Sequence, residues 1–259
     1  MLAAERRGEI LEKLHSEKRV IVSELSQFYE VSEETIRRDL ERLEREGFAV
    51  KSYGGAVLNE DVSIELPFNI RRNKNASGKQ KIAEIASSLV NDGDHLFLDA
   101  RTTAIFLARA LKNRKKLTIV TNSVEILIEL GDVTGWSVYA AGGAIQKGYL
   151  CFHGSKCESM IRSFYMDWAF VSCKALNQVQ GMMESQEVFP GTKLAMLESS
   201  RQRVLLADNT KFDQTAFAVT GNLRSAGIDL VITDKRPDDG WMEYFDQNEV
   251  RCLYPDSPA

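Results

Sequence analysis

The sequence predicts an α/β protein: a small helical module first, then a larger domain built around a mostly parallel sheet. Three observations carry that reading. Residues 1–57 repeat apolar side chains at helical spacing and end in a Gly-containing hairpin, FAVKSYGGAV. From about residue 78 onward, helical stretches alternate with short runs that are apolar throughout, as strands buried on both faces are. The chain is also long enough, at 259 residues, to bury a full core without disulfide or metal staples. Its 44% hydrophobic and 27% charged residues exclude collagen-like, mucin-like and wholly disordered chains. A net charge of −4 excludes a bulk polycation of the histone kind.

In the N-terminal module, Ser23 suits the cap of a helix whose apolar positions are Leu25 and Phe28. A tight break at Val31 and Ser32 follows. Ser32 suits the cap of a second helix, with Glu33 and Glu34 at the positive end of its dipole. Ile36, Leu40 and Leu43 recur at i, i+4 and i+7 and form its buried stripe. Glu34, Arg38, Glu41, Arg42 and Arg45 then point outward, Thr35 and Arg37 flank the stripe, and Gly47 ends the helix. Two helices joined by a short turn, spanning about Val20–Asp39, make a helix-turn-helix, whose second helix enters the major groove. Arginine there reads guanine, while Lys and Thr hold phosphates. The hairpin reads as a two-stranded wing, with Lys51, Ser52 and Tyr53 in reach of phosphates and Gly54-Gly55 allowing close backbone approach. The DNA-contacting set is therefore Ser32, Glu34, Thr35, Arg37, Arg38, Arg42, Arg45, Lys51, Ser52, Tyr53 and Gly54. The bland alternative is a charged, solvated helix face. Residues 1–57 carry ten Lys and Arg against twelve Asp and Glu, a net of −2, so weak non-specific DNA affinity and reliance on dimerisation follow.

Residues 58–75 read as a polar linker. Beyond it, the strand runs are HLFLD (95–99), LTIVTN (117–122), WSVYAAGG (136–143), WAFVSC (168–173), RVLLAD (203–208) and LVITD (230–234), with FAVTG (217–221) as a further strand. Helical stretches fall at 79–90, 102–111, 123–130, 156–164 and 193–200. In open α/β sheets, ligands gather beyond the carboxyl ends of the strands. Those ends supply Asp99, Asn122, Gly142-Gly143, Cys173-Lys174, Asp208 and Asp234. Arg101, Thr102 and Thr103 open a helix straight after Asp99, and backbone N–H groups, two hydroxyls and a guanidinium suit a phosphate. The alternative is that the two threonines only cap that helix. Lys193 opens another helix, and Lys211 follows Asp208.

ERRGEILEKL, VSELSQFYEVSEETIRRDLERLEREG and the wing KSYGGAV resemble the DeoR family of bacterial transcriptional regulators. The likeness runs on through PF-x-x-R (67–71), IAEIASSLVNDGD (82–94), LTIVTNS (117–123), Gly142-Gly143, LLAD-x-x-KF (205–212) and ID-x-VITD (228–234). It implies a winged helix followed by a Rossmann-like domain related to ribose-5-phosphate isomerase. It also implies a repressor, usually a homo-oligomer, bound to a double-stranded DNA operator and released by a phosphorylated sugar effector. Residues 1–57 would be the DNA-binding domain and 76–259 the effector-sensing and oligomerisation domain. The effector residues carried over are Asp99, Thr102, Thr103, Asn122, Gly142, Gly143, Lys174, Lys193, Asp208 and Lys211. The chain departs from the family at Arg101, where a small residue is usual, so Arg101 either adds a phosphate contact or fills the pocket. It departs again at FPGTKLAML, where Gly191 or Thr192 stands near the usual acidic residue, and at Cys173-Lys174-Ala175-Leu176. A different effector, or a sensor turned structural in a constitutive DNA-binding oligomer, stays open.

Other chemistries lack their residues. Cys151-x-His153-x-x-x-Cys157 has no fourth ligand at a zinc spacing. SGKQ (77–80) lacks the first Gly and the final Ser/Thr of a phosphate loop, and no G-x-G-x-x-G occurs. Neither a metal nor a cofactor is expected. An isomerase needs a general base, and only Glu184 and Glu187 lie near the Lys193 segment, so no enzymatic activity is expected. The cysteines Cys151, Cys157, Cys173 and Cys252 form no C-x-x-C pair, which suits a reduced, cytoplasmic protein. MLAAERRGEILEKL has charges where a signal peptide needs an apolar stretch, and no run approaches the ~20 apolar residues of a membrane span, so no membrane partner is expected.

Overall fold

The computed structural model describes residues 2–59 and 68–257, without the side chains of His15, Phe68 and Asn69. The chain divides into two compact units, Met1–Asn73 and Lys74–Ala259.

The first unit runs α1 (Ala3–Glu17), β1 (Arg19–Ile21), α2 (Val22–Phe28), α3 (Glu33–Arg45), β2 (Ala49–Ser52), β3 (Gly55–Leu58) and α4 (Phe68–Asn73). Ile10, Leu11, Leu14, Val20, Leu25, Ile36 and Leu43 fill its core, all at 2% exposure or less. Each such side chain contributes about 1.5–3 kcal/mol of burial. Ser32 caps α3 by accepting from the Thr35 N–H at 3.2 Å. At the other end the Gly47 N–H reaches the Glu44 carbonyl at 2.9 Å and the Phe48 N–H the Leu43 carbonyl at 2.9 Å. That paired closure needs a left-handed residue, and Gly47 supplies it at φ 82°. β3 pairs antiparallel with both β2 and β1. A Cβ on Gly55 would lie 1.9 Å from the Val20 carbonyl oxygen, so only glycine lets β1 approach β3.

Three local expectations change here. β1 leads straight into α2, so α2 starts at Val22 and Ser23 lies inside its first turn instead of capping it. Phe28 is 67% exposed and packs edge-on against Tyr29, leaving Leu25 as the inward residue of that turn. The stretch read as a linker contributes Leu58 to β3 and the helix α4, whose Ile70 is buried in the N-terminal core. Asn73 Nδ2 donates to Glu12 Oε1 on α1 at 3.0 Å. α4 is only six residues long, FNIRRN, too short for a helical period to show in the sequence. Residues 60–67, including Pro67 of the PF-x-x-R motif, lie outside the described residues.

The second unit runs α5 (Ala76–Leu89), β4 (His95–Leu98), α6 (Thr102–Ala110), β5 (Thr118–Thr121), α7 (Val124–Leu130), β6 (Ser137–Ala140), β7 (Ala144–Gln146), β8 (Cys151–His153), α8 (Ser155–Arg162), β9 (Met166–Ser172), β10 (Ala175–Asn177), β11 (Gly181–Glu184), α9 (Phe189–Glu198), β12 (Ser200–Leu206), β13 (Ala218–Gly221), β14 (Leu230–Ile232), α10 (Asp239–Gln247) and β15 (Arg251–Leu253). Seven strands form one parallel sheet in the order β15-β14-β12-β9-β4-β5-β6. β10, β11 and β13 form a small antiparallel sheet, and β7 pairs with β8.

The apolar runs map onto the large sheet, with one difference. Residues 136–143 hold only the edge strand β6, which is mostly exposed, so that run is not buried on both faces. α9 starts at Phe189 with Pro190 in its first turn, so Lys193 lies in the second turn and does not open the helix. From β4 the chain winds outward through β5 to β6, then returns to β9 on the other side of β4. The β4–β9 gap is therefore the point at which strand order reverses, where open α/β sheets form ligand crevices.

Candidate DNA-reading face and candidate sensor cleft

α3 buries Ile36, Leu40 and Leu43 and leaves Arg37, Arg38, Arg42 and Arg45 exposed. Each of the first three is held by a glutamate one turn away: Arg37 to Glu33 at 2.6 Å, Arg38 to Glu34 at 3.3 Å and Arg42 to Glu46 at 2.5 Å. Arg45 Nε donates to the Glu41 carbonyl at 3.4 Å, and Lys51 pairs with Glu41 at 3.3 Å. Exposed pairs of this kind are worth about 0–1 kcal/mol, so a phosphate or a base edge exchanges with the glutamate at little cost. Ser32 and Thr35 share a hydroxyl hydrogen bond of 2.9 Å beside Glu34 at the same end.

The wing holds Gly54 at φ 74° with open space about its Cα, and Tyr53 is fully exposed beside it. Ser52 is half-buried: its hydroxyl has no hydrogen-bond partner and faces a cavity of about 90 Å³ between α3 and the wing. The sequence reading also passed over Asp39. It is 4% exposed on α3 and bound by Arg6 Nε at 2.6 Å and an Arg7 guanidinium nitrogen at 3.3 Å on α1. Its position one residue from Leu40 in an alternating charged helix concealed that it faces inward.

In the second unit, Asp99 lies directly beyond β4 at the switch point and is 1% exposed. Its carboxylate accepts from the Arg101 N–H at 3.1 Å, from the Ser172 N–H at the end of β9 at 3.0 Å, and from Lys193 Nζ. Lys193 is also 3.3 Å from Glu184 Oε1. The Arg101 guanidinium binds Glu184 Oε2, and its carbon sits 5.2 Å from the Phe189 ring centroid and 6.0 Å from that of Tyr149. Two cations thus meet two carboxylates, all four groups at 8% exposure or less. Burial pushes the Lys193 ammonium below its ordinary pKa; Asp99 opposes that shift and Arg101 adds to it.

These side chains line a cleft with Asn122, Tyr149, Cys151 and Thr192. Asn122 Nδ2 donates to the Phe152 carbonyl at 3.0 Å, while its buried Oδ1 has no partner; the buried Thr192 hydroxyl lies against the Cys157 thiol. The remaining space is about 20 Å³, enough for roughly one water.

Of the residues proposed for effector binding, the cleft brings together Asp99, Arg101, Asn122 and Lys193. Thr102 and Thr103 are buried in the first turn of α6, where the cap position belongs to Arg101 and no side chain caps it. Gly142 and Gly143 form the turn from β6 to β7; a Cβ on Gly143 would come 2.7 Å from the His153 carbonyl oxygen, so close backbone approach explains that glycine. Lys174 follows Cys173 beyond β9, its N–H bound to the Met183 carbonyl at 3.0 Å. Asp208 and Lys211 lie in a separate cluster beyond β12. Asp208 accepts from the Thr210 N–H at 3.0 Å and hydroxyl at 2.5 Å. Burial alone would raise its pKa, but the charges of Lys211 and Lys79 and the Thr210 hydrogen bonds bring it below the usual aspartate value. Cys173 sits between the two clusters. Burial pushes its thiol up to about 11, against the charges of Lys211, Lys193 and Arg101. Glu184 is no free base but a buried ion-pair partner, and as the single acid closing an apolar run, GMME, it carries a signal of inward placement.

The sequence is similar to those of known proteins. Residues 6–62 match the DeoR-like helix-turn-helix domain, and residues 74–235 match the DeoR C terminal sensor domain. The chain is 36% identical to the uncharacterized HTH-type transcriptional regulator YulB of Bacillus subtilis, covering 97% of this chain and 96% of that one. It is 27% identical to the glycerol-3-phosphate regulon repressor of Escherichia coli, over 97% of this chain and 98% of the repressor. Among solved structures it is similar to ribose 5-phosphate isomerase A from Methanocaldococcus jannaschii, over 53% of this chain and 55% of that one, with 18% identity and a TM-score of 0.40. The chain belongs to the DeoR family of helix-turn-helix transcriptional regulators.

Proposed function

We propose that the chain is a repressor of a sugar or sugar-phosphate operon, acting in the cytoplasm as a homo-oligomer on double-stranded operator DNA. The observation that carries the DNA assignment is the outward face of α3, with its row of arginines held only by exposed glutamates. Ser32, Glu34, Thr35, Arg37, Arg38, Arg42 and Arg45 form that reading set, with Lys51, Tyr53 and Gly54 on the wing. The cleft at the β4–β9 switch point is the effector site, with Asp99 taking sugar hydroxyls and Lys193 and Arg101 taking negative charge. A phosphorylated sugar releases the repressor by favouring an oligomer arrangement whose reading heads no longer match the half-site spacing. The glycerol-3-phosphate regulon repressor, similar along its length, supports a phosphorylated metabolite as the class. No enzymatic step is assigned, because both carboxylates beside Lys193 are engaged, Asp99 by the Lys193 ammonium and Glu184 by Arg101.

A gel-shift titration against chromosomal fragments tests the reading. A fragment bound in preference to scrambled competitor, and released by a phosphorylated sugar, supports it; equal binding to all fragments rejects it. The filled cleft favours a second reading, a constitutive DNA-binding oligomer without an effector. A preferred fragment that no phosphorylated sugar releases would establish that one.

A further inference from the structure

Resting on the reading of the switch-point cleft as the effector site, we propose that this chain's effector is a polyhydroxy acid, an aldonate with a phosphate at its far end, rather than a neutral-headed aldose phosphate. Its carboxylate takes the place now held by Glu184 on the Arg101 guanidinium.

An arginine, Arg101, stands in the cleft wall. A guanidinium is a planar fork that matches a carboxylate. Phe189 and Tyr149 lie 5.2 and 6.0 Å from its carbon and hold its plane. Its present partner, Glu184, is itself a carboxylate, 0% exposed, and also lies 3.3 Å from Lys193. Glu184 Oε1 meets Lys193 only through that longer ion-pair contact, outside hydrogen-bond geometry. Glu184 is the last residue of β11, so its side chain swings away without breaking that strand. Removing an anion from a buried guanidinium costs several kcal/mol unless another takes its place, which selects a ligand carrying an anionic head.

The remaining polar groups of the cleft give the rest of the ligand. Asn122 Nδ2 is engaged by the Phe152 carbonyl, which leaves Oδ1 as a buried acceptor facing the cleft. An acceptor takes a hydroxyl and repels a phosphate or carboxylate oxygen. Asp99, in the same cleft, offers carboxylate oxygens to a further hydroxyl. One anionic head beside hydroxyl-matching groups describes a polyhydroxy acid. With only about 20 Å³ open, the ligand enters by displacing Glu184 and not by filling a vacant space.

Thermal shift of the full chain separates the alternatives, using two pairs that differ only at carbon 1: 6-phosphogluconate against glucose 6-phosphate, and 4-phosphoerythronate against erythrose 4-phosphate. The expected result is a concentration-dependent rise in Tm with at least one acid and a smaller rise, or none, with its aldose. Glu184→Gln removes the competing internal carboxylate and tightens binding of that acid about tenfold. Arg101→Gly abolishes the preference for acid. An aldose phosphate equal to or better than its acid overturns this inference and leaves the effector site standing. Acid preference that survives Arg101→Gly overturns the role given to Arg101. No shift with any of the four compounds, in the wild type or either variant, overturns both the inference and the site.

Discussion

The same residue types do opposite work in the two units. On α3, Arg37, Arg38 and Arg42 face Glu33, Glu34 and Glu46 in open solvent. In the cleft at the β4–β9 switch point, Arg101 and Lys193 face Glu184 and Asp99 with all four groups buried. Water makes the first set exchangeable, because an exposed pair contributes at most about 1 kcal/mol. Burial makes the second set obligate, because a charge left alone there has no solvent to return to. A surface that must meet a polyanion benefits from pairs that open readily. A sensor benefits from pairs that open only when something replaces them.

The largest break in that comparison is Lys193→Met. It leaves Asp99 and Glu184 buried with Arg101 as their remaining cation in the cleft. Uncompensated buried charge costs about 3–5 kcal/mol, which for a unit of this size lowers Tm by roughly 10 °C; calorimetry checks it. Asp39→Ala, in the other unit, sharpens the contrast. It strands Arg6, whose partner Asp39 is 4% exposed, so it should destabilise by a few kcal/mol, about 3, although it sits on the same helix as the exchangeable pairs. Arg37→Ala serves as the control and should stay within ~0.5 kcal/mol. Equal losses from Asp39→Ala and Arg37→Ala would erase the distinction between buried and exposed pairs.

The difference between buried and exposed pairs also explains what the sequence made legible. Ser32, the stripe Ile36-Leu40-Leu43 and Gly47 each obey local rules of capping, period and left-handed closure, so α3 is readable residue by residue. The parallel strands are readable because both faces of β4, β5, β9, β12 and β14 are covered, leaving uninterrupted apolar runs. β1, β7, β8, β10, β11 and β15 are three or four residues long, too short for an alternation to stand out. The Arg101–Glu184 pair joins residues 83 apart in sequence. Only the folded sheet brings position 101 beside the end of β11, and no spacing rule connects them.

Arg38→Ala has the next largest effect, and it acts on recognition. Loss of a guanine contact costs about 1–3 kcal/mol of discrimination, tenfold to a hundredfold in preference for the operator, with Tm unchanged. A competition gel shift against scrambled DNA reads it; an unchanged ratio removes Arg38 from the reading set. A smaller effect concerns acid. The Asp208 pKa is lowered in the fold, so its ionised form adds stability above the unfolded value of about 3.9. That stability disappears as pH falls through the lower folded value. Wild type should therefore exceed Asp208→Asn in urea stability at neutral pH, and the two curves should converge on acidification. A gap that widens in acid would reverse the sign assigned to Asp208.

Lys51→Ala should give the smallest change, and it bears most directly on exchangeability. Lys51 is exposed on the wing and paired at 3.3 Å with Glu41, itself exposed on α3. If the ammonium leaves Glu41 for a DNA phosphate, one counterion contact is lost in the variant. Binding then weakens by a similar factor on operator and scrambled sequence, and the slope of log K against log salt falls by about 1. Glu41→Gln frees the same ammonium without removing it, so that variant should bind both sequences slightly more tightly and keep the slope. Should Lys51→Ala instead lower operator affinity alone, the wing would be reading bases, and the division between an arginine-bearing helix that discriminates and a wing that only anchors would have to be redrawn.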